Sequence, residues 1–316
     1  MPPEPSAPAV ALVIPVFNEE AVLPELFARL SAMFGAHPAF RWSAILVNDG
    51  SRDRTGELIL AAHARDPRFK LIELSRNFGF QSALTAGLAA ANAADAVVTM
   101  DADLQDPPEV IPALVAAWRD GADVVRAVRR TRSETGLRRL AFDLFHRIFS
   151  ALSAYPVEPN SGTFGLLGRP ALEAFNQLPE RHRFFPGLRA WVGFSRADVL
   201  YDRQARAAGQ PQQTLRRLIR YAADGVFSFS YLPLRVLTVS GAFVACMGFA
   251  AALFFVLWRL TGSERAPTGF TTAITFMLFL GGVQLIGIGV LGEYLGRVYD
   301  EVKQRPNFIV KKRTGL

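Results

Sequence analysis

The sequence holds a single cysteine, Cys246. No intrachain disulfide can form, which suits a main domain kept in a reducing cytosol. Histidine is nearly as scarce: His37, His63, His146 and His182 stand apart, without the spacing of a zinc site. No glycine-rich phosphate loop and no serine–histidine–aspartate order stands out, so P-loop hydrolysis and serine hydrolysis find no support. Internal repeats and low-complexity tracts are also missing. The opening stretch, MPPEPSAPAV, carries neither the basic flank nor the apolar run of a signal peptide. Residues 1–9 read instead as a disordered tail.

Charge is in short supply, at 20% of residues against 50% hydrophobic. The shortage is local. Val236 to Trp258 and Phe270 to Leu291 contain no charged residue, and each is about long enough to cross a bilayer as a helix. A pair of buried core helices is the alternative, but soluble helices seldom run so far without polar residues. The net charge is +7. Arg216, Arg217, Arg220 and Arg235 precede the first run, and Arg297, Lys303, Arg305, Lys311, Lys312 and Arg313 follow the second. This flanking surplus predicts a hairpin with both ends in the cytoplasm. The basic residues therefore read as membrane-surface contact. A nucleic-acid partner is not expected, because the remaining chain has no comparable basic stripe.

Before residue 130, apolar strands alternate with helical patterns. AVALVIPVF, WSAILVND, FKLIELS, DAVVTMDAD and GADVVRAVR are the expected strands. Such alternation implies an α/β fold with a parallel sheet, in which ligands bind beyond the carboxyl ends of the strands. Asn18-Glu19-Glu20, Asn48-Asp49-Gly50-Ser51, Ser75-Arg76-Asn77 and Asp101-Ala102-Asp103 should then line one crevice. The domain is expected over 10–213, a juxtamembrane amphipathic region over 214–235, a transmembrane hairpin over 236–295 (spans 236–258 and 270–293), and a basic cytoplasmic tail over 296–316. GLRRLAFDLFHRIFSALS, with Phe142, Phe145 and Phe149 among arginines, reads as an interfacial helix; packing on the sheet is the alternative. Asn18 is expected to cap the first helix.

Three aspartates, Asp101, Asp103 and Asp106, fall within six positions in DADLQDPPE. A turn after Asp101 can bring Asp101 and Asp103 onto one Mg²⁺ or Mn²⁺, which takes oxygen ligands from carboxylates and substrate phosphates. Asp49 closes another strand, and Gly50 permits a tight turn there. Asp49 and Glu19 can accept hydrogen bonds from a ribose or base edge. Together these residues describe a nucleotide-sugar site.

The string VIPVFNEE, ILVNDGSRDRT, LSRNFGFQSALTAGL and DADLQDPPE resembles the polyprenyl-phosphate glycosyltransferases of glycosyltransferase family 2, which include bactoprenol glucosyltransferases and dolichyl-phosphate mannose synthase. The likeness runs from about Val10 to about Phe308. It implies a GT-A (Rossmann-like, mostly parallel sheet) catalytic domain followed by amphipathic interface helices and a two-helix transmembrane hairpin, in the bacterial inner membrane with the catalytic domain cytoplasmic. It also implies a nucleotide-sugar donor, a polyprenyl-phosphate lipid acceptor and a Mg²⁺ or Mn²⁺ cofactor. By position, Asp101, Asp103 and Gln105 match the metal-binding motif. Asp49 matches the nucleotide-binding acid, with Ser51 beside it and Pro15, Phe17 and Glu19 around base and ribose. Arg129 matches an arginine that meets the acceptor phosphate, and Arg203 and Arg206 match arginines near the phosphates. A homotetramer is among the assemblies the resemblance allows.

The chain also departs from that pattern. Gln210, Pro211 and Gln212 stand where a Ser-Lys pair is common, and Asn160 stands where many members have aspartate. The expected reaction is inverting transfer of one sugar, from UDP-glucose first, to undecaprenyl phosphate, within the EC 2.4 class. Aminoarabinose, galactose, a uronic acid or mannose are the alternative sugars. A catalytically impaired membrane scaffold is the alternative from another class. A processive polysaccharide synthase is disfavoured by the short chain and the missing Gln-x-x-Arg-Trp signature.

Overall fold

The computed structural model describes residues 7–130, 161–181, 183–203, 232–260 and 269–316. The chain divides into two compact units, Met1–Gly225 with Pro306–Leu316, and Val226–Arg305. The expected interfacial helix around Phe142, Phe145 and Phe149, most of the juxtamembrane region, Asn160, Arg206 and Gln210 to Gln212 lie outside the described residues.

The first unit runs β1 (Ala9–Val16), α1 (Leu23–Ala36), β2 (Arg41–Asn48), α2 (Thr55–Arg65), β3 (Phe69–Leu74), α3 (Phe80–Ala90), β4 (Ala96–Thr99), a 3₁₀ turn (Pro108–Val110), α4 (Ile111–Arg119), β5 (Val124–Arg129), β6 (Ser161–Gly168), α5 (Arg169–Gln177), α6 (Phe185–Trp191), β7 (Arg196–Tyr201) and β8 (Val310–Thr314). The eight strands form one sheet in the order β7-β5-β6-β4-β1-β2-β3-β8. Strands β4, β1, β2 and β3 are mutually parallel. Their apolar residues are buried on both faces, as a sheet covered by helices on each side requires. Helix α1 shows the matching period: Leu23, Leu26, Leu30, Met33 and Phe34 point into the core. Against the other face, α3 lies so close that a Cβ on Gly87 would fall 2.3 Å from Val13 Cγ1.

Two findings differ from the sequence reading at this level. Asn18 does not cap α1, which begins only at Leu23 with Val22 at its N-cap and no side-chain cap. Asn18 adopts a left-handed backbone, φ 54°, and its Oδ1 accepts the Arg52 amide instead. The intervening residues Glu19 to Val22 form a turn, which puts Asn18 beyond capping reach. The second difference is β8. Residues 310–314, read as part of a basic tail, pair antiparallel with β3 at the sheet edge. Alternating apolar residues are few in VKKRT, so the strand owes its place to ladder hydrogen bonds rather than to burial.

Direction within the sheet decides what meets at its ends. β6 is antiparallel to both β4 and β5, and two reversals restore direction, so β5 runs the same way as β4. β7 is parallel to β5. The carboxyl ends of β1, β2, β3, β4, β5 and β7 and the start of β6 therefore share one edge. The described stretch that ends at Arg203 stops just beyond β7, and the Ile309 carbonyl accepts the Ser75 amide just beyond β3.

The second unit holds α7 (Leu232–Leu260) and α8 (Phe270–Val302). Within α8, Phe279–Val302 is the helix stretch, among the described residues, long and apolar enough to cross a membrane, with a mean hydropathy of 1.4 over its best window. In α7 the apolar stretch Leu234–Ala250 is shorter. The two helices touch where Gly287 approaches Leu237, the small-residue contact that lets apolar helices come close.

Candidate active site

Beyond β1 and β2, two loops are laced together. The Asn18 amide donates to Ser51 Oγ at 2.9 Å, the Glu19 amide to Thr55 Oγ1 at 2.9 Å, and the Arg54 amide to a Glu20 carboxylate oxygen at 3.0 Å. Ser51, expected to meet the nucleotide, thus first holds the neighbouring loop. Pro15 is buried near the end of β1, while Phe17 and Glu19 are partly exposed just past it.

Asp49 has a structural task that the sequence did not announce. Its side chain is buried, and its two oxygens accept the Phe78 amide at 2.7 Å and the Gly79 amide at 2.9 Å. Burial pushes its carboxyl up; the two amide bonds and Arg76 oppose the shift without cancelling it. Gly50 beside it has φ +70°, and a Cβ there would lie 2.6 Å from the Arg76 carbonyl carbon. The loops after β2 and β3 are therefore in backbone contact, with Asp49 as the clasp.

After β4 the chain turns within Asp101 to Asp106. Leu104 takes a left-handed conformation, φ 58°, with its side chain almost fully buried. A bulky residue in that region is strained, and such strain gathers at functional sites. The turn brings three carboxylates near one another. Burial, then Asp106, then Asp103 push the Asp101 carboxyl up to about 7, against a Thr163 hydrogen bond and the charge of Arg203. Thr163 Oγ1 reaches Asp101 Oδ1 at 3.3 Å, and Asp103 Oδ1 accepts the Gln105 amide at 3.2 Å.

Does this donor set suit a divalent cation? Among the described residues no group of three or more His, Cys, Asp or Glu is arranged around a common point. Two crowded carboxylates, with Gln105 next along the same turn, make an incomplete oxygen shell, which suits a cation that completes its coordination with substrate phosphates and water. The mutual repulsion felt at Asp101 is what a cation would relieve. The residues fit.

Across from Asp101 stand the arginines. Arg129, at the end of β5, donates from Nε to the Tyr201 hydroxyl at 3.2 Å and approaches Asp106 at 3.8 Å. Burial works against its charge, but Tyr201, Asp106 and Asp101 outweigh that and hold the guanidinium protonated. Arg203 also approaches Asp106 at 3.8 Å. The Tyr201 hydroxyl donates to Asp106. Of the expected site residues, Asp101, Asp103, Gln105, Arg129 and Arg203 thus gather at one sheet edge, while Arg206 is outside the described residues.

Three further residues of this edge were not expected. Thr163 is the third residue of β6, a strand whose glycines hide it: a Cβ on Gly165 would meet the Val125 carbonyl oxygen at 2.6 Å, so close strand approach demands glycine where propensity argues against a strand. Tyr201 ends β7 and could have been found only from its place two residues before Arg203. Asp106 was visible in the acid cluster but carried no separate role.

Glycosyl transferase family 2 matches this chain over residues 11–175. The bactoprenol glucosyl transferase of Shigella phage SfII is 42% identical over 304 residues, covering 96% of this chain and 97% of that protein. The prophage bactoprenol glucosyl transferase homolog of Escherichia coli K12 is 40% identical over 304 residues, covering 96% and 98%. Among solved structures, glucosyl-3-phosphoglycerate synthase from Mycobacterium tuberculosis, in complex with Mn²⁺, UDP and glucosyl-3-phosphoglycerate, is 21% identical with a TM-score of 0.45, covering 70% of this chain and 78% of that one.

Proposed function

The chain belongs to glycosyl transferase family 2, and on that premise we propose that it transfers one sugar, glucose from UDP-glucose, to a polyprenyl phosphate at the cytoplasmic face of a bacterial inner membrane. One observation carries the reading: at a single sheet edge, Asp101 feels the charges of Asp103 and of Arg203, and Arg129 and Arg203 converge on the neighbouring Asp106. A cation-holding side thus meets an anion-holding side, as transfer between two phosphates requires. The near full-length likeness to bactoprenol glucosyl transferases supports the lipid acceptor and the glucose donor.

Asp101 and Asp103, with Gln105, would hold Mg²⁺ or Mn²⁺ against the donor diphosphate. A bound divalent cation supplies Lewis-acid stabilisation of the leaving nucleoside diphosphate. Pro15, Phe17, Glu19, Asp49 and Ser51 line the nucleotide side, with Asp49 acting through the loop it clasps. Arg129 and Arg203 present preorganised positive charge to the acceptor phosphate, and Arg206 is the further arginine we assign to that phosphate. A phosphate monoester has its second ionisation around 6, so its oxygen is already an anion near neutral pH and needs no strong base to attack. Attack in line with the departing diphosphate inverts the anomeric centre.

Connectivity supports membrane attachment through a hairpin. Residues before and after Val226–Arg305 fold into one compact unit, so that stretch crosses a bilayer an even number of times or not at all. With Phe279–Val302 as one crossing, α7, 29 residues long, would supply the other, and the catalytic unit would keep to one side.

The test is product analysis. Full-length protein in membranes receives radiolabelled UDP-glucose and undecaprenyl phosphate. A lipid product bearing a single glucose is expected. A polymer, or no transfer from any nucleotide sugar in a panel, would refute the reading.

A further inference from the structure

The acid cluster after β4 contains one carboxylate more than a cation site of two aspartates and a glutamine uses. Asp106 is only 2% exposed at its side chain. A buried carboxylate costs stability unless it is paired and hydrogen-bonded. Its partners here are specific. The same oxygen, Oδ1, accepts the Tyr201 hydroxyl and faces Arg129 Nη2 and Arg203 Nε, each at 3.8 Å. Arg129 in turn spends its Nε on Tyr201. Asp106 therefore meets both guanidinium groups and Tyr201 meets that of Arg129, and since a guanidinium has five N–H donors, each arginine keeps others for a ligand.

From this geometry we infer that Asp106 and Tyr201 are positioning residues for Arg129 and Arg203, holding both arginines in place for a phosphate monoester before it arrives. The inference rests on reading that side as the acceptor-phosphate side.

The charges explain why a carboxylate is needed. Two arginines packed side by side repel each other, and each long side chain loses rotamer freedom when it is fixed. Asp106 opposes the repulsion and fixes both, yet one positive charge remains to attract the phosphate. Asp101 and Asp103 have the opposite assignment: their two charges match one divalent cation. The run of acids is thus split between the two sides of the reaction, two for the donor side and one for the acceptor side.

This division sets up a test in which two effects have opposite signs. Asp106→Asn keeps the shape and adds one net positive charge. If net charge alone governs phosphate binding, the variant binds a phosphate more tightly. If positioning governs, it binds more weakly. Tyr201→Phe leaves the charge unchanged and removes only the bridging hydroxyl. The measurement is calorimetric titration of full-length protein in detergent with a short isoprenyl monophosphate, and separately with UDP plus Mn²⁺. Weakening of isoprenyl phosphate binding by about tenfold in Asp106→Asn, with a smaller loss in the same direction in Tyr201→Phe and Mn²⁺–UDP affinity retained in both, is the expected result. Unchanged or tighter isoprenyl phosphate binding by Asp106→Asn overturns the inference, as does a large loss of Mn²⁺–UDP affinity, which would make Asp106 a metal ligand. If Asp106→Asn does not fold, Tyr201→Phe decides: unchanged phosphate binding there overturns the inference. Wild-type protein that binds Mn²⁺–UDP but no isoprenyl phosphate overturns the acceptor reading itself.

Discussion

Replacing Gly50 by alanine tests whether the clasp between the loops after β2 and β3 shapes the site. Two costs add. A non-glycine residue at φ +70° carries the left-handed penalty, about 1–2 kcal/mol. The new Cβ would also stand 2.6 Å from the Arg76 carbonyl carbon and 2.7 Å from the Asn77 amide nitrogen. Both are backbone atoms, so they cannot swing aside as a flexible side chain would. The loops must part, and the bonds from Asp49 to the Phe78 and Gly79 amides, at 2.7 and 2.9 Å, stretch or break. One buried amide left unpaired costs about 1–3 kcal/mol. The sum is about 3 kcal/mol or more, a large share of the roughly 5–15 kcal/mol that holds a domain folded. Gly193 is the control. Its φ is +75°, but the nearest atom to its Cβ is the Trp191 carbonyl oxygen at an ordinary 3.7 Å. Gly193→Ala should therefore show the conformational penalty alone. Urea unfolding of the full chain in detergent, followed by tryptophan fluorescence, compares the two. Gly50→Ala should cost clearly more than Gly193→Ala and should raise the KM for the sugar nucleotide. Equal losses would refute the argument that backbone contact between the loops matters.

Asp103→Ala should abolish sugar transfer, and EDTA should do the same to the wild type, with recovery on adding Mg²⁺ or Mn²⁺; full activity after EDTA would remove the cation from the mechanism. A pH-dependent effect is expected away from the site. Hydrogen bonding to Arg68 holds the Asp66 carboxyl below its usual range, and the pair meets at 2.7 Å with Arg68 42% exposed. A carboxylate with a depressed folded pKa contributes stability above its unfolded value, near about 3.9, and loses it as pH falls through the folded value. Because the pair is partly exposed, Arg68→Ala should cost only about 0.5 kcal/mol at pH 7, and denaturation curves of variant and wild type should converge below about pH 4.

The parallel half of the sheet was legible because β1 to β5 are apolar runs separated by helical periods, and a strand buried on both faces leaves no other pattern. The strand ends then announced Asp101 and Asp103. β6 and β7 were not legible for opposite reasons. SGTFGLLG is rich in glycine because β5 crowds it, while RADVLY lies at the sheet edge with only Tyr201 fully buried. β8 was read as a tail because Lys311, Lys312 and Arg313 suggested membrane-surface contact, and only pairing across more than 200 positions of sequence, visible in the Lys311–Glu73 contact at 2.8 Å, gives it a place. Asp49 shows a different limit. Its residue type and position at a strand end suggested a ligand contact, but a carboxylate can equally accept two backbone amides, and sequence does not tell the two apart.

These late-arriving strands bear on how the site is held. β5 and β7 are joined to β4 only through β6, so the distance from Asp101 to Arg129 and Tyr201 is fixed by a strand that no local pattern foretold. Thr163 on β6 reaches Asp101 from one side, and Tyr201 on β7 reaches Asp106 from the other. The turn carrying the three aspartates is thus gripped on both flanks. The strained backbone at Leu104 needs such a grip, because strain of about 1–3 kcal/mol persists only where surrounding contacts over-determine the conformation. Loosening the Thr163 flank should therefore be felt first at Asp101, on the cation side, and loosening the Tyr201 flank first at Asp106, on the phosphate side. A single turn held separately at its two ends sets both sides in one frame, which is what a transferase needing its two phosphates in line requires.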